Sequence, residues 1–308
     1  MIEINRISKN FEDKDALKDI TFRISDETVL GMVGSNGAGK STILRLLAGI
    51  YRQDEGTIQY DGIDVYDNPE IKKDIVYVGD DLYFLQGSNI KRMVELYASV
   101  YENFDYDKLN KLLEIFKLNP YKNISDFSKG MKRQMATILA LCTNCKYMFF
   151  DETFDGLDPV IRTQVKRLIA GEVVKHKATV IITSHSLREL EDICDHLALL
   201  HEGRLVLDSD IMDLKTNNFK VQIAFSEEFD KSKFEGIEVI SYKQQGKVAQ
   251  FIAKGDREHT IQHLNQLNPV LLEILPLTLE EVFIYEMEER NYTCIHQDLG
   301  EGEDEDEL

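Results

Sequence analysis

Gly34-Ser35-Asn36-Gly37-Ala38-Gly39-Lys40-Ser41-Thr42 fits the pattern G-x-x-x-x-G-K-[ST]. The residues on either side decide how to read it. Val29-Leu30-Gly31-Met32-Val33 is short and apolar, as a buried strand is, and Ile43 to Ala48 is rich in helix formers. Strand, glycine-rich turn and helix form one unit in which the backbone can approach phosphate oxygens with no Cβ in the way. The helix N-terminus adds partial positive charge. Lys40 has the reach to serve β- and γ-phosphates as a point charge, and the Ser41 hydroxyl can ligate Mg²⁺. A glycine-rich turn without a ligand is the other reading, and the residues downstream weigh against it.

Working outward, a carboxylate pair stands at the end of a second apolar run. Cys145 to Phe150 reads as a strand that exits into Asp151-Glu152. In a chain with a phosphate loop, Asp151 is placed to serve Mg²⁺. Glu152 beside it can take a proton from an attacking water. Ala178 to Thr183 is a third buried strand, and it exits into Ser184-His185. His185 is placed to donate to a γ-phosphate oxygen. Upstream, Ile2–Ile7 and Ile20–Ile24 alternate as half-solvated antiparallel strands do, and His196–Leu200 and Arg204–Asp208 form a closing hairpin. Phe11, expected in a polar loop before the phosphate loop, can stack on an adenine. Ile90–Tyr101 and Tyr106–Lys117 have helical apolar spacing and no catalytic residue types.

Composition sets further bounds. The chain has 308 residues, 43% of them apolar and 30% charged, as suits a globular protein with one main domain and a smaller one. A net charge of -19 argues against nucleic acid as the main partner. No apolar run approaches the length of a membrane span, and no leader pattern opens the chain, so any membrane work needs other chains to cross the bilayer. Cys142, Cys145, Cys194 and Cys294 suggest no disulfide framework. Cys142-x-x-Cys145 has no second pair at zinc-ribbon spacing and reads as helix-end packing.

These motifs, in this order from about Met1 to Leu214, resemble the ATP-binding subunit of ABC transporters, and look most like exporter-type systems with separate membrane subunits. The resemblance implies an α/β fold. Its parts are a P-loop NTPase (RecA-like) core with an antiparallel β subdomain and a helical insertion at about 80–145, all within 1–215; beyond the resemblance, the strand and helix patterns after about Lys215 suggest a small α+β domain over 216–290, and acid-rich composition suggests a disordered tail over 291–308. It makes Gly34 to Thr42 the Walker A loop, Asp151 the Walker B aspartate, Glu152 the base, Asp158 the D-loop aspartate, His185 the switch histidine and Phe11 the adenine-stacking aromatic. Phe127-Ser128-Lys129-Gly130-Met131 stands where the family has Leu-Ser-Gly-Gly-Gln, and Ser128 and Gly130 are expected to touch ATP held by a partner subunit. Asp80 occupies the place of the Q-loop glutamine. It could ligate Mg²⁺, but it adds negative charge beside a polyphosphate.

The cofactors implied are ATP and Mg²⁺. The partners implied are a second copy or a related ATPase subunit in a head-to-tail dimer, and separate transmembrane permease subunits. The expected location is cytoplasmic, on the inner face of the membrane. Two other readings stand beside this one: a soluble ATPase of the same superfamily acting on ribosomes or nucleic acid, and a non-hydrolysing ATP-binding regulatory module. Leu277 to Phe283 is similar to a closing segment of exporter ATPases.

Overall fold

The chain opens with a hairpin, β1 (Ile2–Phe11) and β2 (Lys14–Ile24). Ile2, Ile4 and Ile7 are all buried, although the third breaks the alternation. The register shifts between Ile4 and Ile7, and Arg6 takes φ 49°. This bulge returns Ile7 to the inner face. Phe11, paired with Lys14, is the last residue of the strand, where the sequence suggested a loop. β3 (Val29–Val33) is buried throughout, and the glycine-rich loop after it runs into α1 (Lys40–Leu47). β4 (Glu55–Tyr60) and β5 (Ile63–Asp64) complete an antiparallel sheet in the order β2-β1-β4-β5.

After α2 (Pro69–Lys72) and β6 (Ile75–Val78) come α3 (Ile90–Val100), α4 (Tyr106–Ile115) and α5 (Lys129–Leu141). Asn89, Asp105 and Ser128 cap these three helices, each accepting a backbone N–H from the first turn. β7 (Tyr147–Phe150), α6 (Pro159–His176), β8 (Thr179–Ser184), α7 (Leu187–Leu190), β9 (His196–His201) and β10 (Arg204–Asp210) follow. The second sheet has the order β10-β9-β3-β8-β7-β6. All its pairs are parallel except β9 with β10.

Because Val33 pairs with Ser184, Phe150 with Ile182 and Val78 with Phe150, four strands end along one edge. Loops that leave that edge converge, which is where open α/β sheets place ligands. One buried cluster joins Ile4, Ile20 and Phe22 of the first sheet, Ile43 and Leu47 of α1, and Phe149 and Ile181 of the second. The helix that begins at Lys40 is thus fixed between two sheets.

The structure, a computed structural model, describes residues 1–12, 14–275 and 277–283. The chain divides into two units, Met1–Ile211 and Met212–Leu308. α8 (Ile211–Asn217) leads into the second. There β11 (Asn218–Ala224), β12 (Glu238–Gln245), β13 (Val248–Lys254), α9 (Arg257–Gln266) and β14 (Leu271–Leu275) form an antiparallel sheet in the order β12-β13-β11-β14. A single helical turn, Lys231–Phe234, stands between β11 and β12. This is the β-α-β-β-α-β arrangement with its first helix reduced to one turn. Its core is Phe219, Val221, Ile223, Phe234, Phe251 and Leu264.

Residues 279–283 begin another helix, opened by a capping box: the Thr278 hydroxyl accepts from the Glu281 N–H, and Glu281 accepts from the Thr278 N–H at 3.1 Å. The spacing over Leu279–Glu289 reads as helical, and its part beyond 283, with Cys294 and the acidic tail, lies outside the described residues. Among the described residues, no helix is long and apolar enough to cross a membrane. Burial pushes the Cys142 and Cys145 thiols up to about 12, so neither carries reactive thiolate at neutral pH.

Candidate functional site

The glycine-rich loop is built so that only glycine serves at its two ends. A Cβ on Gly34 would sit 2.4 Å from the Leu200 carbonyl oxygen, and one on Gly39 would sit 2.6 Å from Leu17 Cδ2. Gly39 also takes φ 108°. Between them Ala38 is buried, so Gly34 and Ala38 form the back of the loop. Ser35, Asn36, Gly37, Gly39, Lys40, Ser41 and Thr42 line a cleft of ≈ 270 Å³, together with Phe11, Lys14, Ala16, Asp80 and Glu152. Phe11 is 39% exposed. Its ring centre is 5.4 Å from that of Tyr51 in an edge-to-face arrangement, and Lys9 Nζ lies 5.3 Å from it over the ring.

Lys40 is buried, and its ammonium donates to the Gly34 carbonyl at 2.6 Å and the Ser35 carbonyl at 3.3 Å. It also lies 3.2 Å from Glu152 Oε1. The other oxygen of Glu152 is 3.1 Å from His185 Nδ1. The three side chains named from separate motifs therefore form one chain: ammonium, carboxylate, imidazole. Glu152 takes φ 48°, a strained setting for a non-glycine residue and one that clusters at functional sites. Its N–H donates to Thr183 Oγ1 at 3.0 Å, which holds the turn.

Asp151 is fully buried. The Thr183 hydroxyl donates to its Oδ1 at 2.7 Å, and the Tyr77 hydroxyl donates to its Oδ2 at 3.2 Å. Burial first, and then the Asp151 charge, push the Tyr77 phenol up to about 12, so it stays a donor. Asp80 points at α5: its Oδ1 is 2.7 Å from Arg133 Nη2.

Ser128, Gly130, Asp158, Asp151 and His185 are not among the residues that line the cleft. Ser128 and Asp158 cap α5 and α6, Asp158 accepting from Val160 and Ile161 N–H at 3.0 Å each. A Cβ on Gly130 would meet the Gly156 carbonyl at 3.0 Å, so the first turn of α5 packs closely on the loop at Gly156. Lys129 binds Asp155 at 2.8 Å across the same contact.

Sequence reading missed four residues: Lys14, Tyr77, Arg133 and Thr183. Lys14 Nζ lies 3.6 Å from where a Gly37 Cβ would be. Thr183 and Tyr77 had a legible signal, since parallel neighbours of a strand ending in Asp151 must supply its flanking donors. Lys14 and Arg133 had none.

Comparison with known proteins now adds to this geometry. The ABC transporter family model matches residues 17–155. The ABC transporter ATP-binding protein YtrB of Bacillus subtilis (strain 168) is 32% identical over 286 residues, 92% of this chain and 97% of its own length. The chain belongs to the ATP-binding proteins of ABC transporters. Its cassette is an ABC-type ATPase. The methionine import ATP-binding protein MetN 1 of Staphylococcus aureus (strain N315) is 29% identical over 220 residues, 67% of this chain and 64% of its own. A solved ATP-binding subunit of an ABC transporter aligns with a TM-score of 0.65 at 25% identity, over 70% of this chain and 92% of its own. That fit covers about the length of the first unit, and the α/β architecture of this ABC subunit agrees with it.

Proposed function

We propose that this subunit binds Mg·ATP in the Phe11–Glu152 cleft, hydrolyses it within a closed dimer, and powers an exporter whose membrane-spanning subunits are separate chains. One observation carries the reading: Lys40, Glu152 and His185 are linked in sequence, by an ion pair and then a hydrogen bond, next to a glycine cradle. Lys40 exchanges its loop carbonyls for β- and γ-phosphate oxygens, and Phe11 stacks on the adenine. Gly34 to Thr42 wraps the phosphates. Ser41 and Asp151 are the residues that would hold Mg²⁺, which supplies charge neutralisation at the phosphates. Asp151 suits that duty, because Thr183 and Tyr77 fix its carboxylate from the protein side.

Glu152 takes the proton of the attacking water. The water oxygen bonds to the γ-phosphorus as the bond to the bridging oxygen breaks, and ADP and phosphate leave. His185 orients Glu152 and donates to the γ-phosphoryl oxygens. Ser128, Gly130 and Asp158 lie off the cleft in one chain. They act in the dimer, where Ser128 and the α5 N-terminus of one subunit meet the ATP of the other.

Glu152→Gln tests the base. We expect phosphate release to fall about a hundredfold or more, while ATP binding persists and a dimer accumulates on size-exclusion chromatography. Wild-type turnover in the variant removes the assignment. Export is supported by the likeness of Leu277–Phe283 to a closing segment of exporter ATPases, and separate membrane chains fit a subunit in which no described helix is long and apolar enough to cross a membrane. A pull-down of tagged Glu152→Gln with ATP from solubilised membranes checks it. A stoichiometric multi-span partner supports the transport reading, and reconstitution of that pair shows the direction of flux. Recovery of ribosomes in its place overturns it.

A further inference from the structure

Asp80 puts a second carboxylate among the residues that line a cleft that must accept a polyphosphate, in common with Glu152, Lys40 and Ser41. Charge alone makes it a poor lining residue. The structure supplies the reason it is tolerated. Arg133 reaches it from α5, with Nη2 2.7 Å from Asp80 Oδ1. The Arg133 side chain is 1% exposed and that of Asp80 52%. Arg133 Nη1 donates to the Gly79 carbonyl at 3.2 Å, so the guanidinium grips the loop after β6 at two successive residues. Its Nε has no hydrogen-bond partner among the described residues. Asp155 also feels the Arg133 charge, but Lys129 already binds it at 2.8 Å.

We propose that Arg133 is the built-in counter-charge of Asp80. It neutralises the carboxylate at the cleft wall, and it ties that loop to the helix capped by Ser128. Asp80 is then not a metal ligand but half of an internal ion pair, and Arg133 is a positioning residue that acts on ATP through Asp80. This rests on the ATP reading of the cleft.

Coulomb's law and burial give opposite signs for the two halves. Arg133→Met leaves Asp80 as a free anion facing the phosphates, and ATP binding weakens about tenfold. Asp80→Asn leaves a buried guanidinium with carbonyls only. ATP binding then tightens by a few fold while the melting temperature drops by several degrees. The double variant returns both quantities toward wild type. A purely packing role for Arg133 predicts no rescue by Asp80→Asn.

The experiment titrates the full chain and the three variants with a fluorescent ATP analogue, with EDTA and with Mg²⁺, and records their melting temperatures. Rescue in the double variant supports the pair. Binding in the double variant no better than in Arg133→Met overturns it. So does an Asp80→Asn variant that weakens binding only when Mg²⁺ is present, which is the signature of a metal ligand. Should Arg133→Met not fold, Asp80→Asn decides alone: tighter binding with a lower melting temperature supports the proposal, and an unchanged melting temperature overturns it. A wild-type chain that binds no analogue overturns the ATP reading itself, and this inference with it.

Discussion

In the first unit β3, β6, β7 and β8 run parallel, and their C-terminal ends release Gly34, Asp80, Asp151 and His185 along one edge. In the second unit every paired neighbour runs antiparallel, so β11 and β12 end at one edge of the sheet and β13 and β14 at the other. Both sheets bury large aromatic side chains, Phe149 and Phe150 in one and Phe219 and Phe251 in the other. Burial therefore does not separate them; direction does. Parallel strands gather loop residues from distant parts of the sequence into one cluster, whereas the antiparallel sheet divides its loops between two edges and pairs polar groups across neighbouring strands, as Gln222 with Gln250. The contrast assigns chemistry to the first unit and packing to the second, and each prediction below tests one side of it.

The largest effect is expected from Phe251→Ala. Phe251 is buried 4.8 Å from Phe234, ring centre to ring centre, in the core of the second sheet. Its loss costs that unit about 3–5 kcal/mol. Calorimetry should show an unfolding transition moved to lower temperature, with ATP binding at 20 °C unchanged within about twofold. A matching loss of ATP binding breaks the division of labour. Lys40→Ala comes next and does the reverse. It removes a buried cation from between two loop carbonyls and Glu152. Truncating one side of such a pair costs about 2–5 kcal/mol, and equilibrium titration should show ATP binding weakened about thirtyfold or more. Phe11→Ala is smaller: loss of one stacking face costs about 1 kcal/mol, or roughly fivefold in the ATP dissociation constant. No change at Phe11 removes the adenine contact from the site.

Much of the cassette was legible because its signals are local. A strand, a glycine turn and a helix lie within about twenty consecutive residues, and runs such as Tyr147–Phe150 and Thr179–Ser184 declare burial on both faces. What stayed hidden depends on register or on contacts between distant segments. Pairing with Lys14 across the hairpin placed Phe11 in a strand and not in a loop. The Asp80–Arg133 pair joins residues 53 apart in sequence, and no spacing rule connects them. Lys14 reached the cleft wall only because the β1–β2 hairpin folds over the loop at Gly37. The strand order β12-β13-β11-β14 was equally out of reach, since each strand reads alike whichever neighbour it takes.

The smallest expected effect separates the two edges of the parallel sheet itself. His196 opens β9, level with Leu30 in β3, and so lies at the edge away from Gly34 and His185. Its Nε2 is 2.7 Å from Asp208 Oδ1 in β10. The hydrogen bond to Asp208 raises the imidazole above its ordinary value against the opposing effect of partial burial, with the Asp208 and Asp210 charges adding to the rise. A raised folded-state value means the protonated form is the stabilising one. The contribution is complete below the unfolded value near 6.5 and is lost as pH climbs through the folded value. Solvent reaches the pair, so about 1 kcal/mol is the ceiling, roughly two to four degrees in melting temperature for a unit of this size. The wild-type melting temperature should therefore fall more between pH 6 and pH 8 than that of His196→Gln, while both bind ATP alike at each pH. A pH-dependent difference in ATP affinity between them overturns the separation, because it shows that the edge without ligand-facing loops still communicates with the edge that has them.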